Sequence, residues 1–318
     1  DGNMQGTTAM TSLSPLRRSF VAAAIPRWLA PVWPDAAAAP ERPSPDALSG
    51  ELGRIGDLEI RLARTGRDVR RAQRLRYEVF HSERGARTTR RALLSRRDID
   101  PFDRWCDHLL VIDRSYRRGV GGRAYSRVVG CYRLLRQEAA ERAGGFYSAR
   151  EFDLRGLMQS HPGAKLLELG RACVLGPYRT RKTIDLLWHG LWRYVRHHEV
   201  DVMFGCASLD GVEPAALGAQ LAYLHHHARA PQDWSAAALP ERYVAMNRMP
   251  KERLDARAAF TALPPLLKAY LRIGAVCGDG AVVDRRFGVT DVLVVMKVSE
   301  ISTRHVRFYE GKALARAS

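Results

Sequence analysis

The stretch LLELGRACVLGPYRTRKTIDLLWHGLWRYV, residues 166–195, constrains this chain most. Its first nine residues read as a strand, yet the apolar run carries one acid, Glu168, and one base, Arg171. Its second half places Ile184, Leu187, Trp188, Leu191, Trp192 and Val195 on one face of an amphipathic helix. Between the two, Arg179, Arg181 and Lys182 put three cations within four residues. The same alternation continues along the chain. DVRRAQRLRYEVFHSER (68–84) has helical spacing, and HLLVID (108–113), RVVGCYRLL (127–135), VDVMFGCAS (200–208) and DVLVVMKVSEI (291–301) read as strands. Residues 209–290 mix short helices with Pro-containing turns, and GDGAVVD (278–284) leads from a turn into a strand, with Asp279 and Asp284 as candidate pocket walls. The expectation is one α/β domain on a mixed sheet, beginning near residue 57.

Charge is distributed unevenly. The 318 residues hold 51 basic and 34 acidic side chains, a net +17, but residues 1–56 contain five of each. The whole excess therefore lies in 57–318, and such a surface favours an acidic partner. The aromatics are not interleaved with the basic residues as in single-strand binders, and no recognition-helix or zinc-finger pattern occurs, so no nucleic acid is expected. The five Cys are never in a CxxC pair, which argues against a zinc site and for a reducing, cytoplasmic setting. LHHHA (224–228) does not place three ligands on one ion, so no metal is expected.

Residues 1–56, rich in Ala, Pro, Ser and Gly, read as a largely disordered tail. Within it, PLRRSFVAAAIPRWLAPVWP has an apolar run too short for a signal-peptide core, but Phe20, Trp28, Leu29 and Trp33 suit contact with a membrane surface.

In a regular strand Glu168 and Arg171 point to opposite faces. Gly170 between them predicts a bulge that turns both side chains toward one face. The following helix start, near Thr180 to Ile184, offers backbone N–H groups and the positive end of a dipole. With Arg179, Arg181 and Lys182 added, a phosphate is the expected guest.

A bent strand with an acid, followed by a phosphate-binding helix start, resembles the core of the GNAT acyltransferase superfamily. This implies a mixed, mostly antiparallel central sheet with a splayed strand and flanking helices. PYRTRKT stands where that superfamily usually has a glycine-rich turn. LRYEVF (75–80), RDIDPFDRWCDHLLV (97–111), VVGCYRLL (128–135) and LELGRACV (167–174) resemble the acyl-homoserine-lactone autoinducer synthases. The matching polar network is Arg76, Asp103, Asp107, Arg133, Glu168 and Arg171. GGFYSAREFDL, LELGRACVLGPYRTRKTIDLLWHGL, DVMFGCASLDG and LPPLLKAYLRIGAVCGDGAVVDRRFGVTDVLVVM look like the L-ornithine Nα-acyltransferases, over about residues 57–310.

That family makes lyso-ornithine lipid from a 3-hydroxyacyl group on acyl carrier protein. The resemblance therefore implies an acidic carrier protein, its 4'-phosphopantetheine arm as acyl donor, L-ornithine as acceptor, and no bound cofactor. Work at the inner face of the cytoplasmic membrane would follow from the amphiphilic product. Glu168 is the candidate general base, or else an ion-pair partner of Arg171 or Arg133. Arg133 or Arg171 would hold the substrate carboxylate. Asp100, Asp103, Asp107 or Asp210 would hold the distal ammonium, with Arg76 and Ser208 completing the substrate site. A strand N–H near Ala172 to Val174 would stabilise the oxyanion. Cys173, Val174, Arg179, Thr180, Arg181, Lys182 and Thr183 would meet the pantetheine arm or carrier protein. Acylation of glycine, glutamine or lysine, an autoinducer-synthase-like reaction, or a non-enzymatic basic module binding membrane or nucleic acid are the competing readings.

Overall fold

In the computed structural model, which describes residues 48, 50–116, 126–234 and 236–301, ten strands lie edge to edge. They are β1 Gly53–Ile55, β2 Leu58–Leu62, β3 Asp107–Asp113, β4 Arg127–Arg136, β5 Phe152–Asp153, β6 Leu166–Val174, β7 Val202–Asp210, β8 Ala237–Ala238, β9 Val276–Asp284 and β10 Val289–Lys297. Their order is β1-β2-β3-β4-β6-β7-β10-β9-β8-β5. Only β6 with β7 and β8 with β9 run parallel. The helices are α1 Gly66–Arg76, α2 Arg90–Ser95, α3 Gln137–Ala143, α4 Arg155–Ser160, α5 Arg181–His197, α6 Gly218–His227, α7 Ala256–Ala262 and α8 Pro265–Arg272. The sheet is thus mixed and mostly antiparallel, as the sequence implied.

Local chemistry sets the elements that carry the site. Thr65 caps α1 by accepting the Asp68 N–H, and the helix runs on into a π-helical turn, Tyr77–Glu83. Thr180 caps α5 by accepting the Thr183 N–H. The apolar face of α5 buries Leu187, Trp188, Leu191, Trp192 and Val195 with α1 in one core, and a second core holds Phe102, Phe146, Phe152, Phe204 and Val295.

The fold begins upstream of residue 57. Leu52 is fully buried, its carbonyl accepts from His189 Nε2 and Arg193, and β1 pairs with β2. Only three residues long and bounded by Gly50 and Gly56, β1 shows too little periodicity to be seen in sequence. The candidate membrane-contact residues Phe20, Trp28, Leu29 and Trp33 lie outside the described residues, as does most of the basic connection between β3 and β4.

Two irregularities shape β6. It pairs with β7 only at Leu166↔Val202, Leu167↔Met203 and Glu168↔Phe204, after which the two strands part. At that point a Cβ on Gly205 would stand 2.2 Å from the Leu169 carbonyl oxygen, an approach that only glycine permits. The second irregularity is the bulge. Register with β4 shifts between Cys131↔Cys173 and Arg133↔Gly170, so the extra residue falls at Arg171 and Ala172. Gly170 itself pairs regularly, and Arg171 adopts the left-handed conformation, φ 51°. The bulge exists, one step beyond its expected place.

Candidate active site

Glu168 is the last residue of β6 still paired with β7. Its carboxylate is buried and accepts the backbone N–H groups of Tyr147 and Ser148, each at 2.7 Å. Burial raises its pKa, while the Ser148 and Tyr147 donors and the charge of Arg133 oppose the rise. The N–H bonds fix the loop after α3, so the Tyr147 ring is held against two cations. Arg133 and Arg171 sit 5.1 and 4.8 Å from its centroid.

Behind that ring lies a closed ion-pair network. Arg76, with no exposed surface, donates Nε to Asp98 at 3.0 Å and Nη2 to Asp103 at 2.6 Å. Arg133 stands 3.0 Å from Asp100 and 3.4 Å from Asp103. Arg171 stands 3.4 Å from Asp98 and donates to Asp100 at 3.0 Å. The acids are preset by the short turn they sit on: Asp100 accepts the Phe102 N–H and Asp103 the Asp100 N–H, a capping box around Pro101. Burial alone would raise Asp98 and Asp103. The guanidiniums of Arg171 and Arg76 hold Asp98 below the usual carboxylate range, and Arg76, Gln73 and Arg133 do the same for Asp103.

A third group lies on the far side of the split. Carboxylate oxygens of Glu151, Asp284 and Asp291 lie within 4.8 Å of one another. Among the described residues this trio alone has the spacing to hold a metal ion, and its charge also suits an ammonium. Asp291 accepts from Ser208 at 2.6 Å, and burial pushes its pKa up to about 7 against that hydrogen bond. Burial also raises Glu151, against the pull of Arg242 at 3.1 Å. Half-buried Cys206 links the two acidic regions. Its thiol faces the Glu151 carboxylate at 3.7 Å, and burial, then Asp291, Glu151 and Glu168, push its pKa up. Phe287 roofs the arginines, with Arg171 and Arg286 4.8 and 5.2 Å from its centroid.

The sequence matches the acetyltransferase (GNAT) domain over residues 75–189. It is 50% identical over 264 residues to L-ornithine N(alpha)-acyltransferase of Agrobacterium fabrum, across 83% of this chain and 89% of that one. The protein of that name from Rhodobacter capsulatus is 42% identical across 81% of this chain and 96% of its own. This chain belongs to the L-ornithine N(alpha)-acyltransferase family. An N-acyl amino acid synthase from uncultured soil microbes is a looser structural likeness, with 8% identity, TM-score 0.45 and coverage of 79% and 96%. The chain is thus an acyltransferase of GNAT type, as its motifs implied.

Within this family member the expected residues divide into two sets. Arg76, Asp100, Asp103, Arg133, Glu168 and Arg171 do converge. Asp100 and Asp103, expected as ammonium ligands, are already occupied by arginines, because the capping turn aims both carboxylates into the network. Asp107 lies apart, accepting from Tyr194 at 2.6 Å, with Arg136 3.7 Å away. Asp210 is exposed at the end of β7, 3.4 Å from Arg84. Ser208 is directed to Asp291.

The turn before α5 also differs from expectation. Arg179 folds back, pairing with Glu83 and donating Nε to the Val174 carbonyl at 3.0 Å, so it anchors the turn to the end of the π-helical turn that follows α1. Arg181 lies 3.7 Å from Asp185, Lys182 is exposed, and Thr180 and Thr183 are joined at the helix cap. Cys173 and Val174 are buried, the Cys173 sulfur 3.6 Å from that of Cys131 on the neighbouring strand.

Sequence reading missed Asp98, Tyr147, Glu151 and Asp291 as members of the site. Asp98 stood inside the RDIDPFDRWCDHLLV motif, and Tyr147 and Glu151 inside GGFYSAREFDL. The acid in the apolar run DVLVVM was a signal of the same kind as Glu168.

Proposed function

We propose that this protein transfers a 3-hydroxyacyl group from the 4'-phosphopantetheine thioester of acyl carrier protein to the α-amine of L-ornithine, giving lyso-ornithine lipid. The observation that carries this reading is the buried carboxylate of Glu168 where β6 leaves β7. The pantetheine arm enters between the parted strands and presents its carbonyl beside unpaired backbone of β6 beyond Leu169, whose N–H groups stabilise the developing oxyanion. The amine nitrogen attacks, the C–N bond forms and the C–S bond breaks. Glu168 takes the proton from the amine and passes it to the departing sulfur, which leaves as a thiol with the carboxylate restored. General-base help of this kind is worth about 10²–10⁴-fold.

The acidic trio supports ornithine as the acceptor. Ornithine differs from neutral amino acids by a second ammonium, and Glu151, Asp284 and Asp291 have the charge and spacing to receive it. Arg171 and Arg286, meeting at Phe287, receive the α-carboxylate. A second reading gives the proton to Asp291, whose pKa near 7 suits a base at neutral pH. Among the described residues no helix is long and apolar enough to cross a membrane. The enzyme acts in the cytoplasm, on the inner membrane face where its amphiphilic product is released.

The decisive experiment follows the intact mass of 3-hydroxyacyl carrier protein mixed with the enzyme and ornithine, glycine, glutamine or lysine. Ornithine-dependent loss of the acyl group, with acyl-ornithine appearing, is the expected result. Loss with another amine alone would move the substrate, and no loss with any amine would refute the reading.

A further inference from the structure

Residues 84–97, RGARTTRRALLSRR, contain six arginines and no acid. The segment links the π-helical turn after α1 to Asp98 of the ion-pair network, and α2 forms its middle. Thr89 caps α2 by accepting the Ala92 N–H, and Arg96, at φ 46°, ends it. Ala92 is the one buried residue of α2, whereas Leu93 and Leu94 are 60% and 87% exposed. Folding alone does not account for this arrangement, because the small side chain is turned inward and the two large apolar ones outward. Arg87, Arg90, Arg91 and Arg96 are exposed around them, and none makes an ion pair with the described residues. The Arg87 N–H donates to the Arg286 carbonyl at 2.7 Å, which brings exposed Arg285 and Arg286 of the β9–β10 turn to the same edge.

We infer that this segment docks the enzyme on an anionic phospholipid bilayer, with Leu93 and Leu94 entering the acyl region and the arginines on lipid phosphates. Two features favour a bilayer over a protein partner. Leucines standing out on a two-turn helix need no complementary groove in a fluid apolar phase. Every charge within residues 84–97 is positive, which matches the sheet of phosphates of an anionic leaflet. The dock runs directly into Asp98, so a molecule held there keeps the Glu168 side of the sheet close to the lipid surface. The inference rests on this surface and not on which amine is acylated.

The full chain is floated with vesicles of phosphatidylcholine alone and of phosphatidylcholine with phosphatidylglycerol. Partitioning onto the anionic vesicles is expected to fall about tenfold or more in Leu93→Ser/Leu94→Ser. In Arg90→Gln/Arg91→Gln/Arg96→Gln it is expected to fall about fivefold per arginine at low salt, with the salt dependence correspondingly reduced. Leu94→Trp gives an independent readout, an emission blue shift on anionic vesicles above the native tryptophan background. Unfolding curves matching the wild type establish that each variant folds. Wild-type partitioning by the double leucine variant overturns the inference and assigns any binding to other segments. Loss of affinity for acidic acyl carrier protein with vesicle binding intact also overturns it. Acyl transfer to ornithine in the absence of vesicles is expected to be unchanged in the leucine variant. Absence of transfer by the wild type would strike the proposed reaction and leave the vesicle result standing.

Discussion

The Glu168 carboxylate accepts the Tyr147 N–H at 2.7 Å, so the acid at the strand split also fixes the ring that both Arg133 and Arg171 lie against. One side chain therefore has both a chemical and an architectural use, and substitution must affect each. Glu168→Gln offers one carbonyl oxygen to two backbone N–H groups and leaves the other facing an amide donor. Turnover is expected to fall about 10²–10⁴-fold, and stability by about 1–3 kcal/mol. Glu168→Asp keeps the charge but draws it back from the loop. Burial places the Glu168 pKa above its ordinary value, so wild-type turnover should decline as pH falls through it. A pH–rate profile in Glu168→Gln that retained this acid limb would remove Glu168 as the base and favour Asp291.

Arg171 holds a backbone conformation that L-residues avoid, at a penalty of about 1–2 kcal/mol. Its ion pairs with Asp98 and Asp100 offset that strain. Arg171→Ala removes the pairs and keeps the strain, so a loss of about 3–5 kcal/mol is expected. Arg171→Gly removes both and should be more stable than the Ala variant by about 1 kcal/mol. Urea unfolding of the two variants tests this, and an Ala variant as stable as the Gly variant would contradict the strain argument.

Arg76 and Asp98 have no exposed surface and so no recourse to water. Arg76→Met leaves Asp103 buried without its strongest partner and Asp98 with Arg171 as its main counter-charge, and about 3–5 kcal/mol is expected to be lost. Adding Asp103→Asn should restore part of that loss, since a neutral amide needs no counter-charge. A double variant no more stable than Arg76→Met would mean that Asp98 alone sets the cost.

The parts of this architecture legible in sequence are those where polarity broke a pattern. Glu168 and Arg171 stood out in an apolar strand, and the strand-to-helix passage near Thr180 followed from periodicity. The bulge was legible only to within a residue, because Gly170 signalled permissiveness while the ion pairs of Arg171 chose the residue that bends. Asp100 and Asp103 were legible as turn acids, but their partners come from α1 and β4 and depend on tertiary approach. The Glu151, Asp284 and Asp291 trio joins three separate strands or their ends, and no local spacing records it. The pairing of Arg179 was not legible either, since its local setting beside a helix start said nothing of Glu83 on the neighbouring helical turn.

Gly205 is the hinge of the split. A methyl group there would meet the Leu169 carbonyl at 2.2 Å and force β6 and β7 apart where they last pair. Overpacking of this kind typically costs about 1–3 kcal/mol. Gly205→Ala should also displace Glu168 and lower turnover more than stability suggests. Measuring turnover and unfolding on the same preparation separates the two. Wild-type turnover in the Ala variant would show that the split tolerates a wider opening.

Asp291 makes stability depend on pH in a sense opposite to the network aspartates. Its folded pKa is raised to about 7, whereas an unfolded Asp titrates near 3.8. Between those values the folded chain holds a proton that the unfolded chain does not. Its contribution to stability is therefore present at low pH and lost as pH rises to about 7, with the protein weakest above it. Asp291→Asn keeps an acceptor for Ser208 and abolishes that titration. The variant should be more stable than wild type by about 1–4 kcal/mol near pH 8. The difference should shrink toward pH 5, as thermal unfolding at the two pH values would register. An ammonium held by the trio acts in the same window by favouring the ionised carboxylate. Ornithine should accordingly stabilise the wild type more at pH 8 than at pH 5, and stabilise Asp291→Asn less at pH 8. Equal stabilisation of both proteins would place the second ammonium elsewhere.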